Sequence, residues 1–188
     1  MILVLCTANQ CRSPLAAAAL RARLAVRDPA LTVESAGLGA SGYRATSPTV
    51  DVARTFGLDL TQHRSRQLDA AAVRDADLIV GMERQHVREA VVLDQRAWAR
   101  AFTLKELVRR ASEVGPRAAN ESLDQWLHRV GEGRRPADLL GQSREDDVAD
   151  PTTDPLADYA TMASEVDTLM RELVDLAWPA TPGGVNAS

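Results

Sequence analysis

The sequence predicts an α/β fold in which a doubly wound sheet of about four parallel strands lies between two layers of helices. Apolar runs of strand length alternate with segments of helical periodicity along the 188 residues, and parallel strands joined by crossover helices produce this alternation. Polar or glycine-rich loops follow the first two apolar runs, at residues 6–13 and 36–43. Sheets of this type bind ligands at the carboxyl ends of their strands, so both loops are candidate site segments.

Local signals set the bounds of the predicted elements. Pro14 stands in the first turn of the first helix, where its missing N–H costs nothing. Ser47 is predicted to cap the second helix, and Gly57 to end it. The predicted strands are residues 1–5, 31–35, 77–82 and 101–104, and the predicted helices are residues 14–26, 48–56, 83–93, 104–111, 120–130 and 156–177.

The chain is expected to form a single domain over residues 1–180, followed by a flexible tail at 181–188. Residues 112–147 are predicted to hold a helical insertion, with Trp126 anchoring its added helix in the core. The polar segments at its end, residues 133–136 and 142–147, are expected to be mobile, and Arg134 and Arg135 to be a solvated pair.

Composition excludes several classes of function. A net charge of −4 and a pI near 5.4 argue against a nucleic-acid partner. No apolar run approaches membrane-spanning length, which argues against a membrane partner. With two cysteines and no leader before the first strand, we expect a cytoplasmic protein in a reducing compartment. The oligomeric state stays open.

The loop after the first strand has the composition of an anion-binding site with a nucleophile. Cys6 ends the strand, and Arg12 and Ser13 begin the helix. Backbone N–H groups at a helix start are unpaired and stabilise negative charge, both on a bound oxyanion and on a cysteine thiolate. Arg12 adds a planar fork that matches two oxygens of a tetrahedral anion, and Ser13 adds a hydroxyl near the sulfur.

A second chemical segment lies near the end of the chain, where Asp150 and Asp154 each precede a proline. The residue before proline is held extended, which presents its carboxylate from a loop. Such a carboxylate can protonate a leaving group and then accept a proton from water. The residues alone leave both aspartates open as the acid.

The loop resembles the signature of a known family. The run Cys6-Thr7-Ala8-Asn9-Gln10-Cys11-Arg12-Ser13-Pro14 is similar to the phosphate loop of the low-molecular-weight protein tyrosine phosphatases, a family that also contains protein-arginine phosphatases and thiol-dependent arsenate reductases. Ala8 replaces the usual glycine, and Gln10 stands where tyrosine phosphatases tend to carry an aliphatic residue. Residues 35–37, 58–68 and 76–82 look like the family's later landmarks.

The resemblance implies roles for particular residues. Cys6 would be the nucleophile, Arg12 the phosphate ligand, and Asp150 the general acid, because its interval to Asp158-Tyr159 matches the family's. Asn9, Ser35 and His63 would hold the loop in shape by hydrogen bonds. The mechanism it implies requires no metal and no organic cofactor. His86 and His128 are expected to be surface residues.

The substrate is less closely specified. The family's tyrosine phosphatases flank the cleft with aromatic residues, whereas the matching positions here are Ser41 with Tyr43 nearby, and Thr152 with Thr153. The partner is expected to be a phosphorylated protein or a small phosphomonoester. Phosphotyrosine is the first expectation, with phosphoarginine or a small phosphorylated metabolite as alternatives.

Two other activities fit the sequence less well. Arsenate reduction would need a cysteine beyond the loop pair, and a phosphate-binding or redox-sensing module without turnover would not need Cys6, Arg12 and Asp150 together. Cys11 lies five residues after Cys6 in the same curled loop. We therefore expect the two sulfurs to be close enough for a reversible disulfide.

Overall fold

A computed structural model describes residues 1–154 and 157–180. It contains a four-stranded parallel sheet in the order β2-β1-β3-β4. The strands are β1 (Ile2–Cys6), β2 (Val33–Gly37), β3 (Leu78–Gly81) and β4 (Ala101–Thr103). β1 lies inside the sheet, with Leu5 paired to Ala36 on one side and to Gly81 on the other. The predicted fold class is confirmed.

Helices cover both faces of the sheet. The helices are α1 (Arg12–Arg27), α2 (Ser47–Thr55), α3 (Ala70–Asp75), α4 (Arg84–Leu93), α5 (Leu104–Val114), α6 (Leu123–Val130) and α7 (Tyr159–Ala177). Alternate residues of β1 point to opposite faces, so this strand contributes to two separate cores. Ile2 and Val4 belong to a core with α1, α2, α5, α6 and α7, whereas Leu3 and Leu5 belong to a second core with α3 and α4. No helix within residues 1–154 and 157–180 combines the length and apolar composition needed to cross a bilayer.

Several helix boundaries differ from the prediction because of capping. Thr46, not Ser47, caps α2, and its hydroxyl accepts from the N–H of Thr49. α7 begins at Tyr159 because Asp158 caps it, which is later than the predicted start at residue 156. Residue 156 and the predicted tail at 181–188 lie outside the described residues. The short α3 was not predicted, since six residues give too little periodicity to recognise.

The segment at residues 112–147 is more ordered than its composition indicates. Trp126 is fully buried, as predicted. The prediction of Arg134 as a solvated residue was wrong: its side chain is 2% exposed and its guanidinium lies 4.2 Å from the ring centre of Trp98 and 3.9 Å from that of Phe102. Glu106 neutralises its charge at 2.7 Å. Aromatic faces and a carboxylate make this burial possible.

Candidate active site

Cys6 ends the central strand β1, and its sulfur is surrounded by hydrogen-bond donors. The side chain is nearly buried. The Cys6 Sγ accepts from the Ser13 hydroxyl at 2.9 Å and from the Asn9 backbone N–H at 3.2 Å. Both donors point at the sulfur atom and hold it in place. Residues 7–11 curl round this sulfur between β1 and the start of α1.

Asn9 holds the loop in this shape. Its backbone is left-handed, with φ 52°, a conformation that asparagine tolerates better than most residues. Its side-chain amide donates to the hydroxyls of Ser13 and Ser35, both at 2.9 Å. Its side-chain oxygen accepts from the N–H of Arg66 at 2.9 Å. The Asn9 carbonyl accepts from His63 Nε2 at 2.7 Å, and burial lowers the pKa of His63.

The end of β2 presses directly against this loop at Gly37. A Cβ at that position would lie 2.7 Å from the backbone nitrogen of Asn9 and 2.8 Å from the carbonyl oxygen of Thr7. Side chains do not approach backbone so closely, so glycine is required there. The contact holds the loop against the end of β2.

Arg12 is the most buried charged residue of the site, at 1% exposure. Its Nη1 donates to the Glu83 carboxylate and, at 2.8 Å, to the Val148 carbonyl. Its Nη2 donates to Asp150 Oδ2 at 2.6 Å. Arg12 therefore joins the loop after β1, the turn after β3 and the segment before α7.

Asp150, one of the two aspartates that precede a proline, contacts Arg12 directly. Its second oxygen, Oδ1, accepts from the hydroxyl of Thr152 at 2.6 Å and from the Thr152 N–H at 3.0 Å. The N–H groups of Thr153 and Asp154 donate to its backbone carbonyl. The turn thus presents the Asp150 carboxylate toward Arg12, and Thr152 holds that carboxylate.

Two residues of the site were missed from the sequence, Glu83 and His86. His86, expected on the surface, is fully buried. Its Nδ1 accepts from the Glu83 backbone N–H at 2.9 Å, so Nε2 carries the proton and donates to the Thr7 hydroxyl at 3.1 Å. Burial, with the nearby charge of Arg12, lowers the pKa of His86 to about 3. The sequence did carry one signal for these two residues, which is their position shortly after the end of the buried strand β3.

The remaining predicted residues line the loop or the rim. Ser41 and Tyr43 are exposed in the loop after β2, where the Ser41 hydroxyl accepts from the Gln67 N–H. Thr7 and Ala8 are exposed in the loop after β1, and the Gln10 carbonyl accepts from the Thr46 N–H. Cys11 is buried at the start of α1, and burial raises the pKa of its thiol to about 11.

An open cavity of about 700 Å³ adjoins Asp150. Its lining includes Glu83, Asp150, Thr153 and Asp154, together with residues 142–144 of the inserted segment. The inserted segment therefore borders the site.

Comparison with known proteins gives one consistent result. A family model described as low molecular weight phosphotyrosine protein phosphatase matches residues 1–115. The probable low molecular weight protein-tyrosine-phosphatase EpsP of Ralstonia solanacearum is 41% identical over 107 residues, 56% of this chain and 71% of EpsP. The low molecular weight protein-tyrosine-phosphatase Etp of Escherichia coli K12 is 40% identical over 93 residues, 49% of this chain and 60% of Etp. The chain thus spans less than two thirds of the length of Etp.

Solved structures match over most of the chain. A low molecular weight protein tyrosine phosphatase from T. tengcongensis is 27% identical with a TM-score of 0.65, covering 93% of this chain and 97% of that one. The YwlE arginine phosphatase from Geobacillus stearothermophilus is also 27% identical with a TM-score of 0.65, covering 93% of this chain and 90% of that one.

Proposed function

This chain belongs to the low molecular weight phosphotyrosine protein phosphatase family, and we propose that it hydrolyses phosphomonoesters through a phosphocysteine formed on Cys6. Members of the family are cysteine-dependent phosphatases. The observation that carries the proposal is the contact of Arg12 Nη2 with Asp150 Oδ2 at 2.6 Å, where Arg12 ends the loop that begins at the hydrogen-bonded sulfur of Cys6. The proposal thus assigns a nucleophile, an anion ligand and an acid-base group to one loop and its contact.

Arg12 is oriented for bidentate binding of the phosphoryl group. Its contacts with Glu83, Val148 and Asp150 use both hydrogens of Nη1 and one of Nη2. In this proposal the Nε hydrogen and the second Nη2 hydrogen, which share one edge of a guanidinium, donate to two phosphoryl oxygens. The phosphoryl dianion also competes with Asp150 for Arg12, which allows Asp150 to hold a proton.

The first chemical step transfers the phosphoryl group to sulfur. The Cys6 thiolate forms a bond to phosphorus as the bond to the leaving oxygen breaks, and Asp150 gives its proton to that oxygen. Backbone N–H groups of residues 7–12 and Arg12 stabilise the equatorial oxygens. The products of this step are the free alcohol or phenol and phosphocysteine.

The second step returns the enzyme to its starting state. Water attacks phosphorus and gives a proton to the Asp150 carboxylate, while the bond between sulfur and phosphorus breaks. Ser13 donates to the departing thiolate at the 2.9 Å contact already present. Inorganic phosphate then leaves.

We propose phosphotyrosine on protein as the substrate, on the basis of the relatives EpsP and Etp, whose names describe protein-tyrosine-phosphatases. Phosphoarginine is the second candidate. It is favoured by Gln10 in the loop, by the absence of aromatic residues other than Tyr43 from the rim positions at 41, 43, 152 and 153, and by the similarity to an arginine phosphatase. We further propose that the protein acts in the cytoplasm and binds no nucleic acid, in keeping with its net charge of −4.

Oxidation of Cys6 is part of the proposal. Hydrogen peroxide would convert its thiolate to a sulfenic acid, with release of hydroxide. The Cys11 thiolate would then attack the sulfenic sulfur, forming a disulfide and releasing hydroxide. Support comes from the position of Cys11 in the same loop, where the charge of Cys6 adds to burial in raising the pKa of the Cys11 thiol.

The proposed function is tested by turnover of an aryl phosphate by the wild-type protein, followed by assays of phosphotyrosine and phosphoarginine peptides. Cys6→Ser should abolish turnover and leave phosphate binding measurable, because the loop amides and Arg12 remain. Cys11→Ser is the matched control and should retain most of the activity. Hydrolysis by Cys6→Ser at the wild-type rate would remove Cys6 as the nucleophile.

A further inference from the structure

Asp146 is a buried carboxylate in the segment that was predicted to be mobile. Its side chain is 8% exposed. Asp146 Oδ2 accepts from Arg84 Nη2 at 2.6 Å and from Arg84 Nε at 3.0 Å, and its Oδ1 accepts from Arg109 Nη2 at 2.8 Å. Arg84 lies on α4 and Arg109 on α5. Two helices therefore hold one loop carboxylate by charge-assisted hydrogen bonds, which are the stronger kind.

The contacts continue on both sides of Asp146. Asp147 accepts from the Arg84 backbone N–H and from the Ser143 N–H. The guanidinium of Arg84 also donates to the Leu140 carbonyl, and that of Arg88 donates to the carbonyls of residues 139 and 141. The inserted segment is thus fixed to the first turns of α4 directly before the catalytic turn.

The same segment leads into the active site over a short distance. Val148 donates its N–H to the Met82 carbonyl at the end of β3 and accepts from Arg12 with its own carbonyl. Asp150 follows two residues later, and a chain of four residues spans at most about 14 Å from Asp146. Movement of Asp146 would therefore change the position of the Asp150 carboxylate.

From these contacts we propose that Asp146, held by Arg84 and Arg109, is a positioning residue for general-acid catalysis by Asp150. The inference rests on the proposed function. Arg84 adjoins Glu83, which anchors Arg12, so one turn of α4 sets the position of both the phosphate ligand and the acid. The arginine pair lowers the pKa of Asp146, opposing the effect of its burial, so the carboxylate is ionised and keeps both partners at neutral pH.

The test compares two aryl phosphates that differ in their need for an acid. Phenyl phosphate has a poor leaving group and 4-nitrophenyl phosphate a good one. In Asp146→Asn, kcat/KM for phenyl phosphate should fall about tenfold and that for 4-nitrophenyl phosphate less than about threefold, with inhibition by inorganic phosphate unchanged. In an Asp150→Asn background, Asp146→Asn should cause no further loss, because the acid that it positions is gone.

Glu106→Gln is the matched control. Glu106 is a carboxylate of 7% side-chain exposure that is also held by two arginines, Arg110 and Arg134, but it contacts the inserted segment at Arg134 rather than beside the turn of Asp150. Glu106→Gln should lower thermal stability about as much as Asp146→Asn does, but its effect on kcat/KM should be the same for both esters. If Asp146→Asn does not fold, Arg109→Gln takes its place, because it removes only one donor to Asp146. Its kcat/KM for phenyl phosphate should fall about threefold, with a smaller loss on 4-nitrophenyl phosphate.

Three results are decisive. Equal loss on both esters, or a full additional loss in the Asp150→Asn background, would show that Asp146 contributes only to stability and would overturn the inference. Turnover of neither ester by the wild-type protein would instead overturn the proposed function. The expected pattern, a loss on phenyl phosphate that disappears with Asp150, supports both.

Discussion

The imidazole of His86 donates from Nε2 to the hydroxyl of Thr7, the residue that follows the cysteine nucleophile proposed here, at 3.1 Å. Its other nitrogen accepts from the Glu83 N–H, so one neutral ring joins the phosphate loop to the turn that anchors Arg12. This contact requires the imidazole to stay neutral with its proton on Nε2. Protonation would place a positive charge in a buried site beside Arg12.

His86 should therefore make the protein sensitive to acid. Its pKa of about 3 in the folded protein lies below the ordinary histidine value of 6.5, so the unfolded chain binds the proton first and stability is lost as pH falls through 6.5 toward 3. Between pH 7 and pH 5 the free energy of unfolding should fall by on the order of 2 kcal/mol because of His86. Urea unfolding of wild type and His86→Gln at both pH values measures it, and the variant should lose less stability on acidification.

His128→Gln provides the comparison for this experiment, because His128 is an exposed histidine on α6. That substitution should leave the pH dependence of wild type unchanged. The same acid sensitivity in His86→Gln as in wild type would show that another group causes it, with His63 the next to replace because burial also lowers its pKa.

Arg12→Lys should be nearly as damaging as loss of the nucleophile. An ammonium group cannot bind two phosphoryl oxygens while also donating to Glu83, Val148 and Asp150, as the guanidinium geometry allows. We expect kcat to fall by about 10²- to 10³-fold, together with weaker competitive inhibition by inorganic phosphate. Unchanged phosphate affinity would count against the role of Arg12.

Asp150→Asn should separate the two Asp-Pro aspartates. Asp150 contacts Arg12 directly, whereas Asp154 donates its backbone N–H to the Asp150 carbonyl. For phenyl phosphate we expect kcat/KM of Asp150→Asn to fall by about 10²- to 10⁴-fold, and less for 4-nitrophenyl phosphate. Asp154→Asn should have little effect on either, and the reverse order would assign the acid to Asp154.

The disulfide between Cys6 and Cys11 should form slowly at neutral pH. Only the thiolate of Cys11 attacks a sulfenic acid, and the pKa of this thiol is raised by burial to about 11. After a peroxide pulse, the rate of crosslinking followed by peptide mapping should rise about tenfold per pH unit between pH 7 and 9. Dithiol reductant should then restore activity.

Cys11→Ser supplies the control for oxidation. Without a resolving thiol, the sulfenic acid on Cys6 proceeds to the sulfinic acid, and inactivation becomes irreversible. If no crosslink forms and this variant recovers as fully as wild type, Cys11 serves only to pack beneath the loop.

The sequence by itself determined the sheet, the first helix and the composition of the phosphate loop. These depend on neighbouring residues: an apolar run forms β1, proline favours the start of α1, and Asn9 suits the left-handed turn between them. The assignment of Asp150 rather than Asp154 needed the family resemblance as well, because both aspartates carry the same local signal.

The tertiary structure alone decided which distant groups complete the site. Glu83 and His86 contact residues 71 and 79 positions away, and Arg12 contacts Asp150 across 138 positions. Local sequence gives such residues the pattern of an ordinary surface, as it did for Arg134 and Asp146. Their burial is possible only because an opposite charge, an aromatic face or a backbone group reaches them from another element, and the fold brings those partners together.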